Sequence, residues 1–280
     1  MSGEGPGPVY FLLHVPRTGG QTRERHFLDH SAPGTVWSPK RREAPPADPD
    51  AVRVVVGHHQ HRSQERLFKG REIRRAVLLR EPLNFHISLY NFRMMNRLRR
   101  GWPAYDFDAY LRAAPQDMIA HFLLSRWLEL PEAALLTMPR ARKFDLLNRE
   151  LERFWFVGAY TDGDRLIEQV AAAVGVPPQA RKRNATSQWS RRVDWRPLRY
   201  KELGAEKMRA IIAQHPVDRA LWQTWRTVRD GAAPAKPWPL PTSDPGASLA
   251  HELLRPAAAV AARVQARLRP TLRPLPPAKA

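Results

Sequence analysis

An α/β fold with a central, mainly parallel sheet is what the sequence predicts, and three observations predict it. First, the runs VYFLLHV at 9–15, VRVVVG at 52–57 and AVLLR at 76–80 are continuously apolar rather than alternating, the pattern of strands buried on both faces. Second, helix-period segments lie between and after these runs. Third, two of the runs pass directly into helix starts, one through Gly19 and Gly20 and one through Pro82 in a first turn. With 280 residues, 43% of them hydrophobic and nine of them tryptophan, the chain can build one well-buried domain with an appendage.

Taken in order, the first strand breaks at Pro16, and GGQTRERHFLDH opens a helix straight after the glycines. Residues 31–50, SAPGTVWSPKRREAPPADPD, read as a Pro-rich connection to the second strand. After the third strand, PLNFHISLYNFRMMNRL forms a helix, followed by helical patterns over 106–113, 117–129 and 146–153. FWFVG at 154–158 is a fourth strand, and helices are predicted over 163–174, 205–214 and 216–229. The Pro-rich stretch 231–247 marks a domain end, giving an α/β domain over 1–230 and a Pro/Ala/Arg-rich segment over 231–280. That segment reads either as disordered or as a short basic amphipathic helix, interrupted by Pro256, that touches a membrane surface or partner.

Composition narrows the chemistry. There is no cysteine, which excludes disulfides, thiolate metal sites and thiol nucleophiles. No window approaches the roughly 18 apolar residues of a membrane span, and MSGEGPGP lacks the basic start of a secretory signal. A soluble, cytoplasmic protein is expected. The net charge of +19 suits a polyanionic partner: nucleic acid, an acidic membrane, or a phosphorylated or sulfated ligand. Residues 231–280 carry seven Lys/Arg against two Asp/Glu, so +14 of the charge belongs to the first 230 residues. A coding bias toward arginine accounts for part of it.

The segment FLLHVPRTGGQT is an anion site by geometry, because a strand leading through glycines into a helix aims unpaired N–H groups and the positive dipole end at one place. Gly19 and Gly20 allow close backbone approach, Thr18 and Thr22 add hydroxyls, and Arg17 adds a fixed charge. G-x-x-x-x-G-K-[ST] and G-x-G-x-x-G are both absent, and no acid ends a later strand to hold magnesium, so the site reads as metal-free. In VLLREPLNFHISLYNF, Arg80 ends a strand and Ser88 lies about two helical turns on, within reach of the same anion. In GHHQH, His58, His59 and His61 follow the second strand at the edge where α/β sheets bind ligands. They suit a general base, a metal site lacking acidic partners, or a packed cluster without chemistry.

FLLHVPRTGGQT resembles the 5′-phosphosulfate loop of the carbohydrate and bacterial sulfotransferases, usually P-K-T-G-G-T-[ST]. LLREPLNFHISLYNF resembles their 3′-phosphate motif, and VVVGHHQH resembles the G-H segment of the uronyl 2-O-sulfotransferase-like branch. FWFVGAYTDGDRLIEQVAAAVG is similar to a later strand and helix of the family, and RKRNATS loosely resembles its nucleotide-covering loop. The resemblance spans about residues 8 to 230. It implies a P-loop-like fold binding 3′-phosphoadenosine 5′-phosphosulfate, with Arg17, Thr18, Gly19, Gly20, Gln21 and Thr22 at the 5′ end. Arg80 and Ser88 would then hold the 3′-phosphate, and His58 would take the proton of a hydroxyl acceptor, a carbohydrate or glycolipid. Arg17 stands where the family has lysine, and a guanidinium supplies charge without readily giving up a proton. Three other readings remain open at this point: a basic nucleic-acid-binding protein, a non-catalytic adenosine-nucleotide-binding relative in which Arg17 replaces the lysine, and a P-loop nucleotide kinase.

Overall fold

The computed structural model describes residues 7–40, 44–178 and 195–227, with the backbone of 229 and 230, all within one compact unit. RKRNATS and the segment from 231 onward, with its candidate amphipathic helix, lie outside the described residues. The strands are β1 (Val9–Leu13), β2 (Val36–Trp37), β3 (Val54–Gly57), β4 (Ile73–Leu79), β5 (Phe156–Ala159) and β6 (Arg229–Asp230). The helices are α1 (Gly20–His30), α2 (Pro82–Leu98), α3 (Phe107–Ala113), α4 (Met118–Phe122), α5 (Glu132–Thr137), α6 (Arg140–Leu151), α7 (Gly163–Val174), α8 (Ala205–Gln214) and α9 (Pro216–Trp225).

The sheet order is β2-β3-β1-β4-β5-β6, with the first five strands parallel and β6 antiparallel to β5 at the edge. Because strand side chains alternate, the apolar runs feed two cores. Tyr10, Leu12, Val54, Val56, Ala76 and Leu78 pack on one side with Phe27 of α1 and Leu166 and Val170 of α7. Phe11, Leu13, Val55, Val77 and Leu79 pack on the other with Leu83 and Phe85 of α2, Leu147 of α6 and Leu221 of α9. Each buried Val, Leu or Phe among these contributes about 1.5–3 kcal/mol by leaving water. The result is three layers, helix on sheet on helix.

On that second side the polar ends of two buried tryptophans are tied to α6: Trp127 Nε1 donates to Glu150 and Trp225 Nε1 to Asn148, each at 3.0 Å. α1 and α2, which follow the neighbouring strands β1 and β4, lie on opposite faces of the sheet. Their departure opens a crevice at the carboxyl ends of the strands.

Several elements differ from the sequence expectation. The Pro-rich connection contains the two-residue strand β2, and a 3₁₀ helix, Arg62–Phe68, precedes β4. The helix expected over 117–129 ends at Phe122 and continues as a π-turn over Leu123–Trp127. α6 begins at Arg140, earlier than its apolar period suggests, and α5 was not expected. The last helix stops at Trp225, and the chain then enters β6.

Candidate functional site

Strand register assembles the site. Leu13 pairs with Gly57, so His14 and His58 leave adjacent strands at the same level. Leu79 pairs with Ala159, which brings Arg80 and Tyr160 side by side in the same way. Nine of the residues that the sequence singles out line a single cavity of about 560 Å³: Arg17, Thr18, Gly19, Gly20, Gln21, Thr22, His58, Arg80 and Ser88.

The loop takes its shape from two left-handed positions, Arg17 at φ 66° and Gly19 at φ 77°. Arginine is unusual there, and tertiary contacts hold it: Nε donates to Ser88 Oγ at 3.0 Å and the guanidinium lies 4.7 Å from the Phe92 ring centre. Arg80 completes the frame. Its Nη1 donates to the Arg17 carbonyl at 2.7 Å, and its guanidinium stacks 4.5 Å from the Tyr160 ring centre. Glu81, the acid next to it in sequence, instead caps α2 by accepting from Leu83 N and Asn84 N. Thr18 turns both its N–H and its hydroxyl back to the Val15 carbonyl, so it closes the turn rather than presenting a donor to the cavity. Gly20 is required by packing, because a Cβ there would fall 1.8 Å from the His14 ring.

α1 begins at Gly20 without any side-chain cap and without an acid in its first turn. Its positive dipole end therefore faces the cavity, which Gly20, Gln21 and Thr22 line. Three guanidiniums surround the same space. Burial, followed by the charge of Arg80, lowers Arg17 to about 10, and burial lowers Arg23 to about 10. Arg80 is lowered as well, by burial. All three remain charged at neutral pH. Only Asp164 among the cavity-lining residues is acidic. Arg23 is 2% exposed and donates Nη1 to the Thr18 carbonyl, while its Nε and Nη2 find no partner among the described residues. An unneutralised buried guanidinium costs several kcal/mol, and an anion in the cavity offsets that cost.

His58 has a defined tautomer. Its Nδ1 lies 3.1 Å from the His14 carbonyl, which can only accept, so Nδ1 carries the hydrogen and Nε2 the lone pair. Burial lowers His58, and the His14 carbonyl and Glu24 partly oppose this; burial and the His58 charge hold His14 well below the ordinary histidine value. The other two histidines of GHHQH go elsewhere: the His59 carbonyl accepts from Gln64, and His61 contacts Ser63 and Glu129. The three imidazoles do not converge on a metal position.

One buried acid–histidine cluster does occur among the described residues: Asp117, His215 and Asp218. Its atoms are committed to helix ends. Asp117 Oδ1 accepts from Val217 N and Asp218 N, and Asp218 accepts from Ile119 N and Ala120 N. His215 Nδ1 accepts from Asp117 N, which leaves the hydrogen on Nε2 and no second lone pair for a cation. The cluster is a reciprocal cap between α4 and α9.

The sequence reading missed His14, Arg23 and Tyr160. Arg23 reads as an ordinary surface helical arginine, and His14 and Tyr160 acquire meaning only from strand register. Comparisons of the chain with protein-family models, with curated proteins and with solved structures gave no match.

Proposed function

We propose that the protein is a sulfotransferase that moves a sulfuryl group from 3′-phosphoadenosine 5′-phosphosulfate to a hydroxyl of a carbohydrate or glycolipid. The single observation that carries the reading is the cavity itself. Three guanidiniums, an uncapped helix start and a neutral, tautomer-fixed histidine share it with one acid. A ligand with two separate anionic ends suits such a site, and its volume lies within the range of small-molecule pockets. The motif resemblance in the sequence points the same way, and the three-layer parallel sheet is compatible with the P-loop-like class.

In this reading the loop from Arg17 to Thr22 binds the 5′-phosphosulfate, while Arg80 and Ser88 bind the 3′-phosphate. The acceptor oxygen bonds to sulfur as the bond from sulfur to the bridging oxygen breaks, and that electron pair leaves on the 5′-phosphate. The hydroxyl proton passes to His58 Nε2. Arg17 stabilises the departing phosphate by charge alone. No metal is required. Incubating labelled donor with host cell extract tests this: wild type labels an acceptor, and His58→Ala labels it at least about 100-fold more slowly. Equal labelling by the two proteins removes His58 from its role.

A further inference from the structure

We propose that His14 is the positioning residue of His58: a three-layer stack of Gly20 backbone, His14 ring and His58 ring fixes the base relative to the glycine loop. The role of His58 as base rests on the sulfotransferase reading; the stack does not.

The geometry is specific. The two imidazoles are parallel within 24°, with centroids 3.5 Å apart. On its other side the His14 ring fills the space a Cβ on residue 20 would take. His14 is 4% exposed, and its Nδ1 has no partner among the described residues. A buried imidazole with an unused nitrogen is an expensive way to fill space, so the flat ring itself is what the site uses. The same residue also supplies the carbonyl that accepts His58 Nδ1–H. Backbone and ring of one residue thus set both the tilt and the tautomer of the neighbouring ring. In serine hydrolases a carboxylate orients the catalytic histidine; here a carbonyl and a stacked ring do so.

The charged groups that face the pair are Arg17 and Arg23 from the loop and α1, Glu24 from α1, and His59 beyond β3. Glu24 is held by Ser38 Oγ at 2.6 Å. Two stacked imidazoles beside two guanidiniums do not both protonate, so the pair presents a neutral base near neutral pH.

The test is nuclear magnetic resonance of ¹⁵N/¹³C-histidine-labelled protein, without donor or acceptor, for wild type, His14→Phe and His14→Leu. Both replacements fill the site, and neither titrates. Wild type and His14→Phe are expected to show His58 as a single Nδ1–H tautomer. His14→Leu, which keeps the carbonyl but removes the flat ring, is expected to show mixed tautomers. An unchanged His58 tautomer in His14→Leu overturns the proposal, as does equal loss of the tautomer in both variants. If either variant fails to fold, His14→Tyr replaces it as a second flat ring and His14→Met as a second flexible one, read against the same two outcomes. The readout needs no turnover, so a negative result here leaves sulfuryl transfer to be judged by the labelling experiment, and the reverse also holds.

Discussion

At the scale of single residues, the loop works because Arg17 serves twice. Its carbonyl anchors Arg80 and its Nε anchors on Ser88, so one left-handed residue ties the ends of β1 and β4 to α2. Lysine in that position would keep the charge but lose the planar fork that reaches Ser88 while lying against Phe92. Gly20 is the most constrained neighbour. Gly20→Ala drives a methyl into the His14 ring, since a Cβ there lies 1.8 Å from it. The change is expected to cost about 1–3 kcal/mol of stability by overpacking, and to weaken adenosine 3′,5′-bisphosphate binding at least several-fold. Urea denaturation and calorimetry read the two effects; wild-type values for both would show that the ring and the loop are not in contact.

At the scale of elements, several helix ends are closed by side chains that lie outside the cavity. α2 and α3 are capped by Glu81 and Asp106, and α4 and α9 cap one another through Asp218 and Asp117. α1, whose start lines the cavity, has no side-chain cap, and neither do α5, α6, α7 and α8. Asp218→Ala is therefore expected to lower stability by about 1–3 kcal/mol while leaving nucleotide affinity at its wild-type value; a fall in affinity matching the loss of stability contradicts that separation. The strands and the two motif-bearing helix starts were legible in sequence because continuous apolar runs and Pro82 are unambiguous signals. β2 was hidden by its length of two residues, and α6 by its polar opening ARK, which masks the period until Phe144. Glu81, beside Arg80 in sequence, spends its carboxylate on capping α2. Arg17, Arg80, Ser88 and His58 could be named from strand-end position and spacing. The His14–His58 pair could not, since it depends on β3 lying beside β1 with Leu13 against Gly57.

At the scale of the whole molecule, buried ionisable groups make stability depend on pH. Burial first, then His215 and Arg93, lowers His86 to about 2, and burial lowers His215 to about 4. His14 and His58 are also depressed. Groups with depressed folded-state values contribute stability above the unfolded value of about 6.5 and lose it as pH falls below that. The capping carboxylates act in the opposite sense: burial raises Asp117 to about 6 and Asp218 well above its usual range, so their contribution is present at low pH and is lost as pH rises through those values. The four histidines prevail, and the urea midpoint is expected to fall on going from pH 7.5 to pH 5. A midpoint that rises over that interval would mean the carboxylate pair dominates. The surplus of +19 adds a non-specific affinity for polyanions, which salt screens.

Salt removes this non-specific attraction and leaves the directed contacts of the cavity. Isothermal calorimetry at high salt, with chelator present, should compare adenosine 3′,5′-bisphosphate with AMP on wild type and on Arg80→Ala. Wild type is expected to bind the bisphosphate at least about tenfold tighter than AMP, one charge-assisted hydrogen bond's worth, and Arg80→Ala is expected to erase the difference. Equal affinity of wild type for the two nucleotides, or a bisphosphate preference that survives Arg80→Ala, would contradict it.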